Sequence, residues 1–183
     1  MALLETPALE TTLAAPDFTL KNIDEAMISL EDAKGEKGTV IAFICNHCPY
    51  VLAIIDRFVE DAARLKSQGI NTIAIMPNDT GSYPGDSFAN MKLFAKKYSF
   101  NFPYVIDEIQ ETAKAYDAVC TPDIYGLNSS LEIVYRGRLD SAGKGTTDEN
   151  TMPELYNAML EIARTGHYTE TQHPSMGCSI KWK

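Results

Sequence analysis

The feature that most constrains this chain is a continuous apolar run, Thr39–Ile44, which leads directly into Cys45-Asn46-His47-Cys48-Pro49. The run is rich in β-branched residues and shows no polar alternation, which is typical of a strand buried on both faces of a sheet. From Pro49 to Ser67 the apolar residues recur at spacings of three and four, which predicts a helix with one apolar stripe. Two cysteines therefore lie at a predicted strand-to-helix junction.

The rest of the chain alternates between predicted strands and helices. Further strands are predicted at 18–20, 27–30, 70–76, 104–106, 124–127 and 131–135, and further helices at 86–98, with Asp86 as N-cap, 108–116 and 153–164. Strand–helix–strand units imply parallel pairing, and Asn128-Ser129-Ser130 favours a tight antiparallel hairpin. We therefore expect an α/β fold, with a central mixed β-sheet flanked by helices on both faces. It would form a single domain over residues 1–183, with an irregular tail from about residue 166.

The spacing of Cys45 and Cys48 places their sulfur atoms about one helical turn apart, close enough to form a disulfide. Free N–H groups and the dipole at a helix start stabilise a thiolate, so we expect a lowered pKa at Cys45. A thiolate is the attacking species in disulfide exchange, and Cys48 can then resolve the mixed disulfide. Pro49 suits the first helical turn, where a missing N–H is harmless.

His47 lies between the two cysteines. When protonated, His47 would favour the Cys45 thiolate further and make the Cys45–Cys48 couple more oxidising. The alternative interpretation is that His47 is merely exposed and neutral. A zinc half-site is the alternative interpretation of the cysteine pair, but zinc needs four ligands, usually from a second close pair. The remaining candidates for that pair are Cys120, His167, His173 and Cys178. Their spacing does not supply one, so we expect no metal and no cofactor.

A second segment of interest is Cys120-Thr121-Pro122, which directly precedes a predicted strand. Proline at the start of a strand is unusual, and a cis peptide bond is one explanation for it. An ordinary trans proline is the alternative. In a fold of this class the segment would return to the Cys45–Cys48 pair.

Charge excludes several classes of partner. The net charge is −9, with 16 Lys and Arg against 25 Asp and Glu, which argues against nucleic acid and anionic membrane surfaces. No apolar run approaches the roughly 18 residues of a membrane span. Residues 1–16 contain Glu5 and Glu10 but no Lys or Arg, unlike a secretory signal, so we expect a cytoplasmic protein. Four cysteines are too few for a disulfide-stapled scaffold, and a close pair in such a protein favours redox chemistry.

Together these features resemble the thioredoxin superfamily, and within it the redoxin domain proteins, which are AhpC/TSA-like and thioredoxin-like. The resemblance covers nearly the whole chain and depends on the order of several motifs. These are Ala15–Leu20, Phe43–Pro49, Thr121-Pro122, Tyr135–Asp140 and Pro174–Trp182. The last of them is similar to the ending of a group of uncharacterised redoxin-domain proteins.

The resemblance implies that Cys45 is the catalytic nucleophile and Cys48 the resolving thiol. The residues implied to support this active site are Asn46, His47, Pro49, Thr121 and Pro122. The last of these would be a cis-proline that shapes the substrate groove, and the threonine before it would offer backbone groups to an extended peptide substrate.

Three departures from the family pattern bear on the roles that the resemblance implies. Ile44 stands where thioredoxins usually have Trp, and Thr39–Ile44 lacks the buried Asp that would exchange a proton with Cys48. Peroxiredoxins have a Thr or Ser three residues before the peroxidatic Cys and a proline further upstream. Here Ala42 occupies the first position and Thr39-Val40-Ile41 contains no proline, so the peroxidase site is not matched.

The implied function is thiol–disulfide exchange on protein disulfide substrates, with an upstream thiol reductant as the second partner. Two alternatives stay open: a peroxiredoxin-like thiol peroxidase with an antioxidant role, and a non-catalytic redox-sensing or metal-binding module. Cys120 is best interpreted as a small buried hydrophobic residue. Cys178 lies in the tail, where it could act as a third thiol over the Cys45 groove or simply pack the tail. The sequence does not predict an oligomeric state.

Overall fold

The computed structural model describes residues 2–183. The strands are β1 (Leu3–Glu5), β2 (Leu13–Ala14), β3 (Thr19–Asn22), β4 (Met27–Ser29), β5 (Gly38–Phe43), β6 (Ile70–Met76), β7 (Tyr104–Ile106), β8 (Cys120–Thr121), β9 (Asp123–Asn128), β10 (Glu132–Arg136) and β11 (Met176–Ser179). The helices are α1 (Leu30–Ala33), α2 (Pro49–Lys66), α3 (Phe88–Lys97), α4 (Glu111–Ala115) and α5 (Glu154–Thr165).

The main sheet is built around β5, whose residues are all buried. Its strand order is β2-β10-β9-β5-β6-β7-β3-β4. β5 runs parallel to β6 and antiparallel to β9, with Ala42 opposite Ala74 on one side and Ile124 on the other. The apolar run of the sequence therefore forms a central strand, as predicted, and its carboxyl end delivers the chain to Cys45.

Helices cover both faces of this sheet. Because side chains alternate along a strand, Val40 and Ala42 pack into one core cluster while Ile41 and Phe43 pack into another. The first cluster includes the apolar faces of α2, α3 and α5, and the second includes those of α1 and α4. The predicted architecture, a mixed sheet flanked on both faces, is confirmed.

Two predicted helix starts are wrong. The third helix begins at Phe88 with Ser87 as its N-cap, and Asp86, the predicted cap, ends a preceding 3-10 turn and is fully buried. The fourth begins at Glu111 rather than at residue 108, because Gln110 adopts a left-handed conformation with φ 63°. Sequence patterns identified the helical stretches but not the turns that open them.

The tail is more ordered than the sequence predicted. Residues 176–179 form β11, the middle strand of a small second sheet with order β1-β11-β8. In that sheet Cys178 lies opposite Leu3 on one side and opposite Thr121 on the other. The chain's last strand is therefore held against the segment that precedes Pro122. None of the helices described in residues 2–183 is long and apolar enough to cross a membrane.

A buried ion pair fixes the strand that follows Pro122. The Arg136 guanidinium donates to both carboxylate oxygens of Asp123, at 2.8 and 3.2 Å, and both side chains are almost completely enclosed. Asp123 also accepts hydrogen bonds from the Val119 N–H and the Tyr125 hydroxyl, both at 3.3 Å. This carboxylate therefore ties the chain before Pro122 to the chain after it.

Replacing Asp123→Asn is expected to lower the free energy of unfolding by about 3 kcal/mol, because it leaves the buried Arg136 charge without its counter-ion. Urea titration of the reduced protein measures this. The matched control is Lys92→Met, which removes an exposed ion pair with Glu25 and is expected to cause no measurable change. A loss at Asp123 as small as in this control would contradict the prediction.

Candidate functional site

The two cysteines of the 45–48 turn lie where β5 ends and α2 begins. Cys48 is the N-cap of α2 and Pro49 occupies its first turn, as predicted from the sequence. Both cysteines are buried, with 1% of Cys45 and none of Cys48 exposed, and both are free thiols. The junction therefore holds two reduced sulfurs inside the protein rather than on its surface.

Thr121 contacts both sulfurs. Its hydroxyl lies 3.3 Å from Cys45 Sγ, and its backbone carbonyl oxygen lies 3.0 Å from Cys48 Sγ. The Thr121–Pro122 peptide bond is cis, as the sequence analysis considered. The segment before the proline therefore returns to the cysteine pair.

A third sulfur completes the cluster. Cys178 Sγ lies 3.0 Å from Cys48 Sγ, although the two residues are 130 positions apart in the chain. Cys120 is also fully buried, but its sulfur contacts the Pro122 carbonyl at 3.5 Å. Burial raises the pKa of the Cys120 thiol, and the Asp123 carboxylate adds to the effect. Cys120 therefore behaves as a packed, neutral residue.

The thiolate is favoured at Cys48. Its pKa is well below the ordinary value, first because of its hydrogen bond with the Cys45 thiol and also because of its hydrogen bond with the Cys178 thiol. Burial opposes the charge, but these hydrogen bonds outweigh it. The pKa of Cys45 is raised by its hydrogen bond to Cys48, by burial and by the nearby Asp86 carboxylate.

This distribution corrects the sequence-based expectation of a lowered pKa at Cys45. Burial and the nearby Asp86 carboxylate oppose a charge on Cys45, whereas the hydrogen bond from Cys45 lowers the pKa of Cys48. Of the two thiols, Cys48 therefore ionises more readily than Cys45 in the reduced protein.

Asp86 holds the turn between the cysteines, and sequence reasoning missed it. One carboxylate oxygen accepts the Asn46 backbone N–H at 2.9 Å, and the other accepts the Asn78 amide at 2.8 Å and contacts His47 Nδ1 at 2.8 Å. Asn46 also accepts a hydrogen bond from the Tyr104 hydroxyl at 3.0 Å. The sequence could have indicated this position, because Asp86 lies in the loop after β6. The carboxyl ends of parallel strands share one edge of a sheet, so this loop lies near the end of β5.

His47 is directed toward Asp86 and stacks on a tyrosine. Its ring lies 5.8 Å from that of Tyr83, with only 7° between the two planes. Donor atoms of Cys45, His47 and Asp86 lie within 4.8 Å of one another, and a thiolate, an imidazole and a carboxylate are ligands that zinc accepts. These three residues are not the set considered in the sequence analysis, in which a second pair would complete the two cysteines. The metal-binding alternative would therefore use Cys45 together with His47 and Asp86.

The backbone of Thr121 is less accessible to a peptide substrate than the resemblance implied. Cys178 of β11 is already paired opposite Thr121, so the edge of β8 that faces β11 is occupied by the chain's own tail. Beside it, a cavity of about 280 Å³ borders Pro122. Its other lining residues include Tyr50, Ile54, Leu139 and Met176, with the loop 140–144 closing one side. A substrate segment has more room in this cavity than along β8.

We expect the reduced protein to hold one thiolate at neutral pH, because the pKa of Cys48 lies below the ordinary cysteine value of about 8.5. The ultraviolet absorbance of the thiolate, followed as pH falls, should decrease only in the acidic range. Cys48→Ser should abolish the signal, Cys178→Ala should shift its midpoint upward by removing the thiol that hydrogen-bonds to Cys48, and the control Cys120→Ser should leave it unchanged. A signal that vanishes already below pH 8 in the unaltered protein would contradict the assignment.

Comparison with known proteins agrees with this architecture. A protein of unknown function from Geobacillus kaustophilus is 42% identical, with a TM-score of 0.92, covering 100% of this chain and 97% of that one. The thioredoxin domain of a thiol-disulfide oxidoreductase from Bacteroides vulgatus has a TM-score of 0.64 at 18% identity, over 85% of this chain and 99% of that one, which shows a thioredoxin-like fold.

Among curated sequences, the chloroplastic peroxiredoxin Q of Oryza sativa subsp. japonica is 28% identical over 113 residues, or 62% of this chain. The chain spans about half the length of this relative, 48% of it. The model of the AhpC/TSA family matches residues 12–142. With a thioredoxin-like sheet, a buried thiol cluster at its edge and a family match over most of its length, the chain belongs to the AhpC/TSA family.

Proposed function

We propose that this protein is a thiol–disulfide oxidoreductase that works through a Cys45–Cys48 dithiol and disulfide pair. The observation that carries the proposal is the contact of Thr121, next to a cis-proline, with both sulfurs at the start of α2. A single residue from a distant strand thus lies against both reacting atoms. Such an arrangement suits a pair that exchanges between thiol and disulfide states.

Cys45 is the sulfur that a substrate meets first. The groups around Cys48 are themselves buried, since Thr121 is fully enclosed and Cys178 is 5% exposed. Cys45 instead neighbours His47, whose side chain is 28% exposed. Once its proton moves to Cys48, the Cys45 thiolate attacks a substrate disulfide, forms a mixed disulfide and releases one substrate thiolate. Cys48 then passes this proton to the released substrate thiolate and attacks Cys45 Sγ. The mixed disulfide breaks, the second substrate thiolate leaves, and a Cys45–Cys48 disulfide forms.

Protein disulfides are the proposed substrates, and the cavity beside Pro122 is the proposed place for the segment that carries them. An upstream thiol reductant returns the pair to the dithiol state. The net charge of −9 gives no basis for a nucleic-acid partner. A reducing compartment such as the cytoplasm would keep the four cysteines as thiols, the state seen in the structure.

Cys48→Ser is expected to trap a mixed disulfide between Cys45 and a protein substrate, because the thiol that resolves it is gone. Insulin is the probe, and mass spectrometry of the non-reduced mixture detects the adduct. The double variant Cys45→Ser, Cys48→Ser should form none, and Cys120→Ser should reduce insulin at the unaltered rate. Absence of an adduct with Cys48→Ser, together with no insulin reduction by the unaltered protein, would refute the proposal.

A second candidate function is thiol peroxidase activity, and one contact favours it. The family position three residues before Cys45 is Ala42, which has no hydroxyl, but the Thr121 hydroxyl lies 3.3 Å from Cys45 Sγ. It could orient a peroxide there. Cys45 would attack one peroxide oxygen and become a sulfenic acid, while the O–O bond breaks and the other oxygen leaves as water. Cys48 would then condense with the sulfenic acid to give a disulfide and a second water.

Thr121→Val separates the two functions, because it removes the hydroxyl and keeps the backbone carbonyl. For a peroxidase, the rate of oxidation by hydrogen peroxide should fall at least about ten-fold, while insulin reduction changes little. Thr121→Ser, which retains a hydroxyl, is the matched control. Equal peroxide rates for the valine and serine variants would remove the support that this contact gives to a peroxidase.

A further inference from the structure

Cys178 is held against Cys48 by backbone pairing on both sides of its strand. It lies opposite Thr121 in β8 and opposite Leu3 in β1. The strand continues with Ile180, whose N–H donates to the Val119 carbonyl at 3.1 Å. The 3.0 Å distance between Cys178 Sγ and Cys48 Sγ is therefore fixed by a sheet.

The residue before Cys178 has to be small for this contact to form. A Cβ atom at Gly177 would lie well inside van der Waals contact of the Thr121 carbonyl group, which is backbone and cannot swing away. Glycine is thus required for β11 to approach β8 closely. This requirement provides a way to separate Cys178 from Cys48 without changing a cysteine.

We propose that Cys178 is a third redox thiol, which takes over the disulfide from the Cys45–Cys48 pair. The proposal rests on the function proposed above, since it begins from that disulfide. The Cys178 thiolate attacks Cys48 Sγ, so that the Cys48–Cys178 bond forms and the Cys45–Cys48 bond breaks. Cys45 leaves as a thiolate and takes up the proton that Cys178 lost. No net electrons are transferred, and the oxidised protein regains a free Cys45.

The electrostatic environment of Cys178 differs between the reduced and the oxidised states. In the reduced protein its pKa is raised, first by burial and then by the hydrogen bond with Cys48 and the charge of a Cys48 thiolate, which together hold its proton in place. Once Cys48 is part of a disulfide it no longer carries the charge that attracts that proton. Cys178 can then ionise more readily, at the moment when its neighbour becomes an electrophile.

Trypsin separates the possible disulfides by peptide. Cys45 and Cys48 share the peptide 38–57, Cys120 lies in 115–136 and Cys178 lies in 165–181. A Cys45–Cys48 disulfide is therefore internal to one peptide, whereas a Cys48–Cys178 disulfide links two. The reduced full chain is oxidised with a stoichiometric amount of diamide, quenched with acid at intervals, alkylated and mapped by mass spectrometry.

The expected result is an internal disulfide in 38–57 that forms first and decays as the link between 38–57 and 165–181 appears. Cys45→Ser should still form the link, Cys178→Ser should stop at the internal disulfide, and Cys120→Ser should behave like the unaltered protein. Gly177→Ala should also stop at the internal disulfide, because its strand cannot reach Cys48.

The outcomes distinguish the two proposals. If the unaltered protein retains only the internal disulfide while 165–181 is fully alkylated, the transfer to Cys178 is wrong and the Cys45–Cys48 function stands. If Cys178→Ser forms no internal disulfide and does not reduce insulin, the proposed function itself is wrong. If Gly177→Ala forms the link as fast as the unaltered protein, the sheet does not determine the position of Cys178.

Discussion

The contact of Thr121 with Cys45 and Cys48 is the interaction on which the rest of the site depends. It requires β5 to end where α2 begins, and it requires the chain before Pro122 to come back to that junction. The buried pair of Asp123 and Arg136 secures the chain just after the proline. The β1-β11-β8 sheet secures it from the other side. The fold thus brings segments that are distant in the sequence together around two sulfur atoms.

Enclosure changes the chemistry of these sulfurs. Burial raises the pKa of a thiol, but hydrogen bonds with the Cys45 and Cys178 thiols lower the pKa of Cys48 below its ordinary value. The pKa of Cys45 is raised, and both residues are almost completely enclosed. The run Thr39–Ile44 lacks the buried Asp of thioredoxins, and the Cys178 thiol and the Thr121 carbonyl oxygen are the polar groups in contact with Cys48.

Local patterns in the sequence predicted the parts of the site that depend on neighbours in the chain. The apolar run, the cysteine spacing and Pro49 together predicted the strand-to-helix junction, and the position of Pro122 suggested its cis bond. The expected lowering of the Cys45 pKa was wrong although the start of α2 was predicted correctly, because burial and the Asp86 carboxylate raise that pKa. Both effects come from residues distant in the chain.

Features that depend on contacts between distant segments could not be predicted from local sequence patterns. Cys178 meets Cys48 through a three-stranded sheet made of segments far apart in sequence, and no periodicity in the tail indicates that strand. In the sequence Asp86 looks like an ordinary turn residue. Only the parallel pairing of β5 with β6 reveals that it reaches the turn between the two cysteines. In both cases the information lies in which strands are neighbours.

The central claim is that Cys45 and Cys48 exchange disulfides, and a stopped-flow comparison tests it most directly. Fully reduced protein is mixed with insulin and, separately, with hydrogen peroxide, and thiol loss is followed in each mixture. Fast oxidation by insulin with slow oxidation by peroxide is the predicted result. Fast oxidation by peroxide with no reaction toward insulin would contradict the claim and identify a peroxidase.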